Sequence, residues 1–135
     1  MKMTTKPTLA KKTAAAACLL LAVGVLLGAF GAHGLKNITS PKALELWSTA
    51  TLYLLIHGLG VLCLSALLEK GWINLRPVLC LMIGVMFFSG SLYGLALGLP
   101  RAFGMITPIG GVFFVIGWGY TAIQLLSKKP AAMPH

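Results

Sequence analysis

The sequence is short of negative charge before anything else. Of 135 residues only Glu45 and Glu69 are acidic, aspartate is absent, and charged residues of both signs make up 10%. A soluble domain carries roughly a quarter, so too few charges are present to clothe an aqueous surface. The shortage also removes whole classes of chemistry. There is no carboxylate pair for general acid–base work, no HExxH, no Ser–His–Asp set and no glycine-rich phosphate loop. Cysteine is sparse as well. Cys18, Cys63 and Cys80 lie within or at the end of apolar runs, show no CxxC spacing, and as three cannot all pair within one chain. Zinc sites normally need three or four ligands, and His33 with His57 does not complete such a set, even with Glu45 close to the former. As a haem pair the two histidines stand at different depths. The expectation is no cofactor, no metal, no catalytic residue and a protein that is not an enzyme.

What the sequence does have is apolar length. It is 58% hydrophobic, and the apolar residues fall into four runs of about 20, enough to cross a hydrocarbon core of ~30 Å as helix. The runs cover about 13–33, 47–68, 77–99 and 104–126, between a basic leader (1–12) and a short tail (127–135). Transmembrane β-strands would be about half as long and would alternate polar with apolar residues. The fold expected is therefore all-α, a compact four-transmembrane-helix bundle with short loops and one membrane domain. Ser40-Pro41 has the form of a helix start, a serine cap followed by proline at the first helical position. The first run follows a basic leader like a secretory signal, and Ala29-Phe30-Gly31 is spaced like a cleavage site. It is longer than the 7–15 apolar residues typical of such signals and is read as a span.

The net charge of +9 is explained by topology. Lys2, Lys6, Lys11, Lys12, Lys70, Arg76, Lys128 and Lys129 fall on one side of the spans, and Lys36, Lys42 and Arg101 on the other. The positive-inside rule then places both termini in the cytoplasm. No basic stripe laced with aromatics runs through the chain, so nucleic acid is not an expected partner. The bilayer is, with a membrane-protein partner or a second copy as further candidates.

With direction set, depth follows at ~1.5 Å per residue. His33 lies near the outer end of the first helix, while Tyr53 and His57 lie in the outer half of the second. Ser89, Ser91 and Tyr93 occupy the outer half of the third helix, and Thr107 the outer end of the fourth. Tyr53 and His57 share a helix face, as do Ser89 and Tyr93. Together they form a candidate polar cluster, with two readings. An ionisable residue within the membrane suggests a functional cavity; alternatively, a neutral His57 bonds a tyrosine or serine nearby and holds the helices together.

Small residues form a second pattern. Gly24-xxx-Gly28-xxx-Ala32 in the first helix and Gly90-xxx-Gly94-xxx-Gly98 in the third are ridges that let helix backbones approach. Two such ridges in one chain are expected to meet each other. Gly34 is expected to help end the first helix. Gly110-Gly111 and Gly117-Trp118-Gly119 mark the fourth helix as a place for local irregularity.

The assembled motifs resemble the uncharacterised small inner-membrane proteins catalogued as domain of unknown function 423, which have small eukaryotic relatives. GAFGAHGL at Gly28–Leu35 is similar to the family's first signature. Tyr53 and His57 match its second helix, FSGSLYGL at Phe88–Leu95 its third, and ITPIGG at Ile106–Gly111, followed by Gly117-Trp118, its fourth. Where that family's second helix often carries an acidic residue and glutamines, this chain has Ser48, Leu52 and Leu54. The resemblance implies four helices and a bacterial inner-membrane location, and supplies no activity. Three roles stay open: a non-enzymatic accessory, assembly or structural component; a small-solute or proton-linked transporter using the polar cluster; and a metal- or haem-binding redox subunit.

Overall fold

Helix starts follow the capping chemistry. In the computed structural model, which describes residues 8–128, the Thr8 side chain accepts the Lys11 N–H at 3.2 Å and α1 spans Leu9–Ala29. The helix begins ahead of the expected Thr13 because the cap, not the first apolar residue, sets its start. The leader before Thr8 and the tail after Lys128, with Lys2, Lys6 and Lys129 of the charge count, lie outside the described residues. Ser40 accepts the Ala43 N–H at 3.1 Å ahead of Pro41, and α2 runs Pro41–Glu69 from that Ser-Pro start. The third helix, α3, spans Arg76–Ala96, and α4 spans Ile106–Ser127 after a 3₁₀ turn at Arg101–Met105. α3 stops short of Leu99 because Gly98 takes φ 92°, a left-handed conformation favouring glycine. The Leu99 N–H then returns to the Gly94 carbonyl at 3.0 Å.

The four helices form an all-α bundle, each long and apolar enough to cross a membrane. They pack in chain order: α1 on α2, α2 on α3, α3 on α4. α2 is central, with Trp47, Ala50, Thr51, Leu54, His57, Val61, Leu64 and Ser65 buried. Leu54, Val61 and Leu64 join Val78, Leu81, Val85 and Phe114 in one core. Leu19, Leu26, Met86, Val115 and Leu126 stay exposed, as lipid-facing side chains should. Between helices in lipid the hydrophobic effect supplies no drive, so close backbone approach and interhelical hydrogen bonds carry the association.

The glycine ridges pack differently from expectation. In α1 the ridge holds at Gly24 and Gly28: a β-carbon on Gly24 would stand 2.5 Å from Leu54, and one on Gly28 3.4 Å from Thr51. Ala32 is exposed. The α3 ridge does not meet it, and α1 packs on α2 instead. Gly90 has nothing within 4 Å, Gly94 faces Leu99 of the turn that follows, and Gly98 lies beyond the helix. The reason is angular. α3 buries the stripe Val78, Leu81, Val85, Ser89 and Leu92, and at 3.6 residues per turn Gly90 and Gly94 point elsewhere.

The close crossing is made by Gly84 of α3 and Gly110 of α4. A β-carbon on Gly110 would overlap the Phe88 backbone nitrogen and stand 2.8 Å from the Gly84 carbonyl oxygen. Gly111 lies at the edge of this contact, 4.0 Å from the Phe88 ring, while Gly117 packs under Leu81 and Cys80. α4 is regular across its glycines. The irregular turn is in the first span, where Phe30–Leu35 widens into a π-helix. Gly34 sits inside that turn, beneath the Phe30 ring, so the helix continues through it.

At the opposite end the helices are clasped by polar pairs. Thr13 and Ser65 hydroxyls meet at 2.8 Å, and the Thr8 hydroxyl donates to Glu69 at 2.9 Å. The Gln124 side-chain oxygen accepts the Asn74 backbone N–H at 2.8 Å.

Candidate functional site

The widened turn of the first span is where polar chemistry begins. A π turn disturbs the regular i→i−4 ladder and recurs at functional sites. Here the Leu27 carbonyl accepts a hydrogen bond from the Trp47 indole N–H at 2.7 Å. Gly31 makes this possible: a β-carbon there would stand 2.5 Å from the indole. Trp47 is buried, with Phe30 against one side and Tyr93 edge-on at 4.5 Å between ring centroids.

From Trp47 the polar contacts run across the bundle. Thr51, one turn on, donates to the Trp47 carbonyl at 2.9 Å, and its oxygen lies 2.7 Å from the Tyr93 hydroxyl of α3. Ser89 donates to the Ala50 carbonyl of α2 at 2.7 Å. Ser91 and Thr107 share a hydrogen bond of 2.6 Å between α3 and α4. Four helices are thus tied near the His33 end by side-chain bonds. Among the described residues, no buried side-chain nitrogen or oxygen lacks a partner.

Tyr53 and His57 form a separate, aromatic group. The His57 Nδ1 lies 2.8 Å from the Tyr53 carbonyl; a carbonyl only accepts, so the proton of that bond is on Nδ1. The imidazole stacks on Phe114 at 3.5 Å between centroids and 11° between planes, with Trp118 at 6.2 Å. Tyr53 packs on Phe88 at 4.3 Å. His57 is therefore covered by aromatic rings and stands apart from the hydroxyl network.

The cluster expected from depth alone thus divides. Tyr93, Ser89, Ser91 and Thr107 join in interhelical bonds; Tyr53 and His57 sit in the aromatic stack. His33 is exposed on the π turn and bonds none of the others. A 330 Å³ groove at this end lies between the π turn and α2, lined by Gly28, Gly31, Ala32, Lys36, Trp47, Ser48 and Thr51 among others. Among the described residues no group of three or more His, Cys, Asp or Glu could hold a metal.

Trp47 and Thr51 carry no motif that marks them in the sequence as interhelical contacts, and Gly84 carries only a short one. Trp47 reads as an interfacial anchor in a sequence, and only the fold shows it buried under a carbonyl. Cys80-xxx-Gly84 is a small-xxx-small pair that could have marked the α3 crossing.

A family profile described as a protein of unknown function, DUF423, matches residues 27–111. The chain belongs to the DUF423 family. Its relatives include a UPF0382 membrane protein of Staphylococcus saprophyticus, 51% identical over 100 residues (73% of this chain, 82% of the relative). Similar too are the UPF0382 membrane protein YwdK of Bacillus subtilis, 40% identical over 109 residues (73% and 81%), and one of Schizosaccharomyces pombe, 42% over 105 (73% and 86%). No solved structure matches the chain. The DUF423 match opens at Leu27, whose carbonyl receives the Trp47 N–H, and closes at Gly110-Gly111. It thus contains the π turn, the hydroxyl network and the Gly84/Gly110 crossing. This DUF423 protein is a small multi-pass membrane protein of unknown biochemical role.

Removing either hydroxyl of the Ser91–Thr107 pair tests how much the network holds. Ser91→Ala and Thr107→Ala, alone and combined, are expected to show a coupling of about 0.6 kcal/mol, the average for such bonds within membranes. Unfolding by denaturing detergent, followed by circular dichroism, measures it; fully additive effects would mean the bond holds nothing.

Proposed function

We propose that this protein is a non-enzymatic accessory or assembly component of the membrane, acting as a rigid four-helix body that docks to a larger membrane partner. One observation carries the reading: the indole and hydroxyl groups near the His33 end are spent on bonds between helices, and His57 is covered by the Phe114 ring. A transporter would need a path to His57, whose ring is stacked on Phe114. The outer helices support docking. Only 17% of the most apolar window of the first span is buried in the bundle, against 44% for α2, so α1 offers most of its surface to its surroundings. The excess of Lys and Arg on the side of the termini supports a cytoplasmic position for both.

The test is purification from native membranes in a mild detergent or a native-membrane polymer, with in-membrane crosslinking. A defined stoichiometric partner is the expected result. Recovery only as a single uncrosslinked chain overturns the reading. Orientation is checked separately in a variant without the three native cysteines. A cysteine at Asn37 should react with impermeant maleimide from outside, and one at Lys128 only after lysis.

A further inference from the structure

The groove beside the π turn has the composition of a lipid site. Its walls are Leu44, Leu52 and Leu55 of α2 and the bare backbone of Gly28 and Gly31, with Trp47 as floor. Its volume of 330 Å³ falls in the roughly 300–1,000 Å³ range of small-molecule sites. At its water-side end stands Lys36, just past the π turn. Lys42, the neighbouring cation, is already bridged to Glu45 at 3.1 Å. Lys36 makes no ion pair among the described residues, and neither glutamate lines the groove. An apolar trough in a transmembrane surface, ending in one free ammonium at the headgroup level, matches a chain bearing a negative head.

We infer that the α1/α2 groove binds an anionic phospholipid, one acyl chain lying on Trp47 between Gly28 and Leu52 and the phosphate held by Lys36. The charge at the mouth selects the occupant. A second copy of this chain could bring only Glu45 or Glu69 to Lys36, and Glu45 is already bridged to Lys42, whereas an anionic headgroup meets Lys36 directly. The glycines have a double use: Gly31 admits the indole, and Gly28 keeps the trough open beside it. This inference does not depend on the protein docking to a partner.

The full chain, delipidated in mild detergent, is exposed to phosphatidylglycerol or phosphatidylcholine and examined by native mass spectrometry. The wild type is expected to retain one phosphatidylglycerol about fivefold more strongly than phosphatidylcholine, the effect of a single lysine at an anionic headgroup. Lys36→Ala should abolish that preference, lowering phosphatidylglycerol retention to the level of phosphatidylcholine. Ser48→Phe, at an exposed groove position, should reduce retention of both lipids by filling the trough. Lys42→Ala should change neither. Equal retention of the two lipids by the wild type, or a preference that survives Lys36→Ala, overturns the inference. So does efficient crosslinking of Ala32→Cys or Ser48→Cys to another polypeptide in native membranes, which would show protein in the groove.

Discussion

Gly110→Val is expected to leave no folded bundle under conditions where the wild type is intact. The added side chain would be driven into the Phe88 backbone and the Gly84 carbonyl, both fixed in the α3 ladder. A flexible side chain could swing away from such an overlap; a helix backbone cannot. The two helices must separate, and the Ser91–Thr107 bond and the Phe114 stack on His57 go with them. Overpacking usually costs about 1–3 kcal/mol, and a backbone collision across a whole interface belongs at or beyond the upper end. The measurement is the midpoint of unfolding in mixed micelles, with Gly90→Ala as comparison. Gly90 has open space at its β position, so alanine there should stabilise by about 0.4–1 kcal/mol through the unfolded chain. Equal effects at Gly90 and Gly110 would refute the α3/α4 crossing.

Trp47→Ala should be the other severely damaging change, at about 3–5 kcal/mol for loss of a buried tryptophan. It empties the space under Gly31, removes the edge-on contact with Tyr93 and leaves the Leu27 carbonyl without its indole donor. α1 should suffer most, because α2 is the helix it packs against. Hydrogen exchange is expected to rise from Leu27 through Leu35 while α3 and α4 keep their protection. Trp47→Phe separates the contributions: it keeps an aromatic ring but cannot donate, and should cost about 1 kcal/mol. Wild-type exchange in the π turn of Trp47→Ala would remove Trp47 from its proposed place.

The two predictions lie at opposite ends of what the sequence made legible. Gly110 was visible as a packing glycine, since small residues in a membrane helix have few other uses. Gly84, its counterpart, is hidden behind the more regular pattern of the Gly90–Gly94–Gly98 spacing. That spacing is genuine but faces lipid at Gly90, the following turn at Gly94 and a left-handed backbone at Gly98. Regular spacing identifies residues on one helix face; it does not say which face meets a neighbour. His57 shows the same limit. Its depth suggested company with Ser89, Ser91 and Tyr93, yet helix rotation turns it toward Phe114 and Trp118.

By itself the sequence determined the class: four helical spans, their order, the Ser40-Pro41 start and membership of a family with no assigned activity. The spans and helix starts follow from length, hydropathy and local capping, which act within a segment and need no knowledge of neighbours; the membership follows from the ordered motifs GAFGAHGL, FSGSLYGL and ITPIGG. Only the tertiary structure decided which glycines let backbones meet, that the polar residues satisfy one another, and that GAFGAHGL widens into a π turn over Trp47. Those outcomes depend on rotation about each helix axis. In lipid, where every face of an apolar helix is tolerated, that rotation is fixed by the fit between helices and not by the solvent.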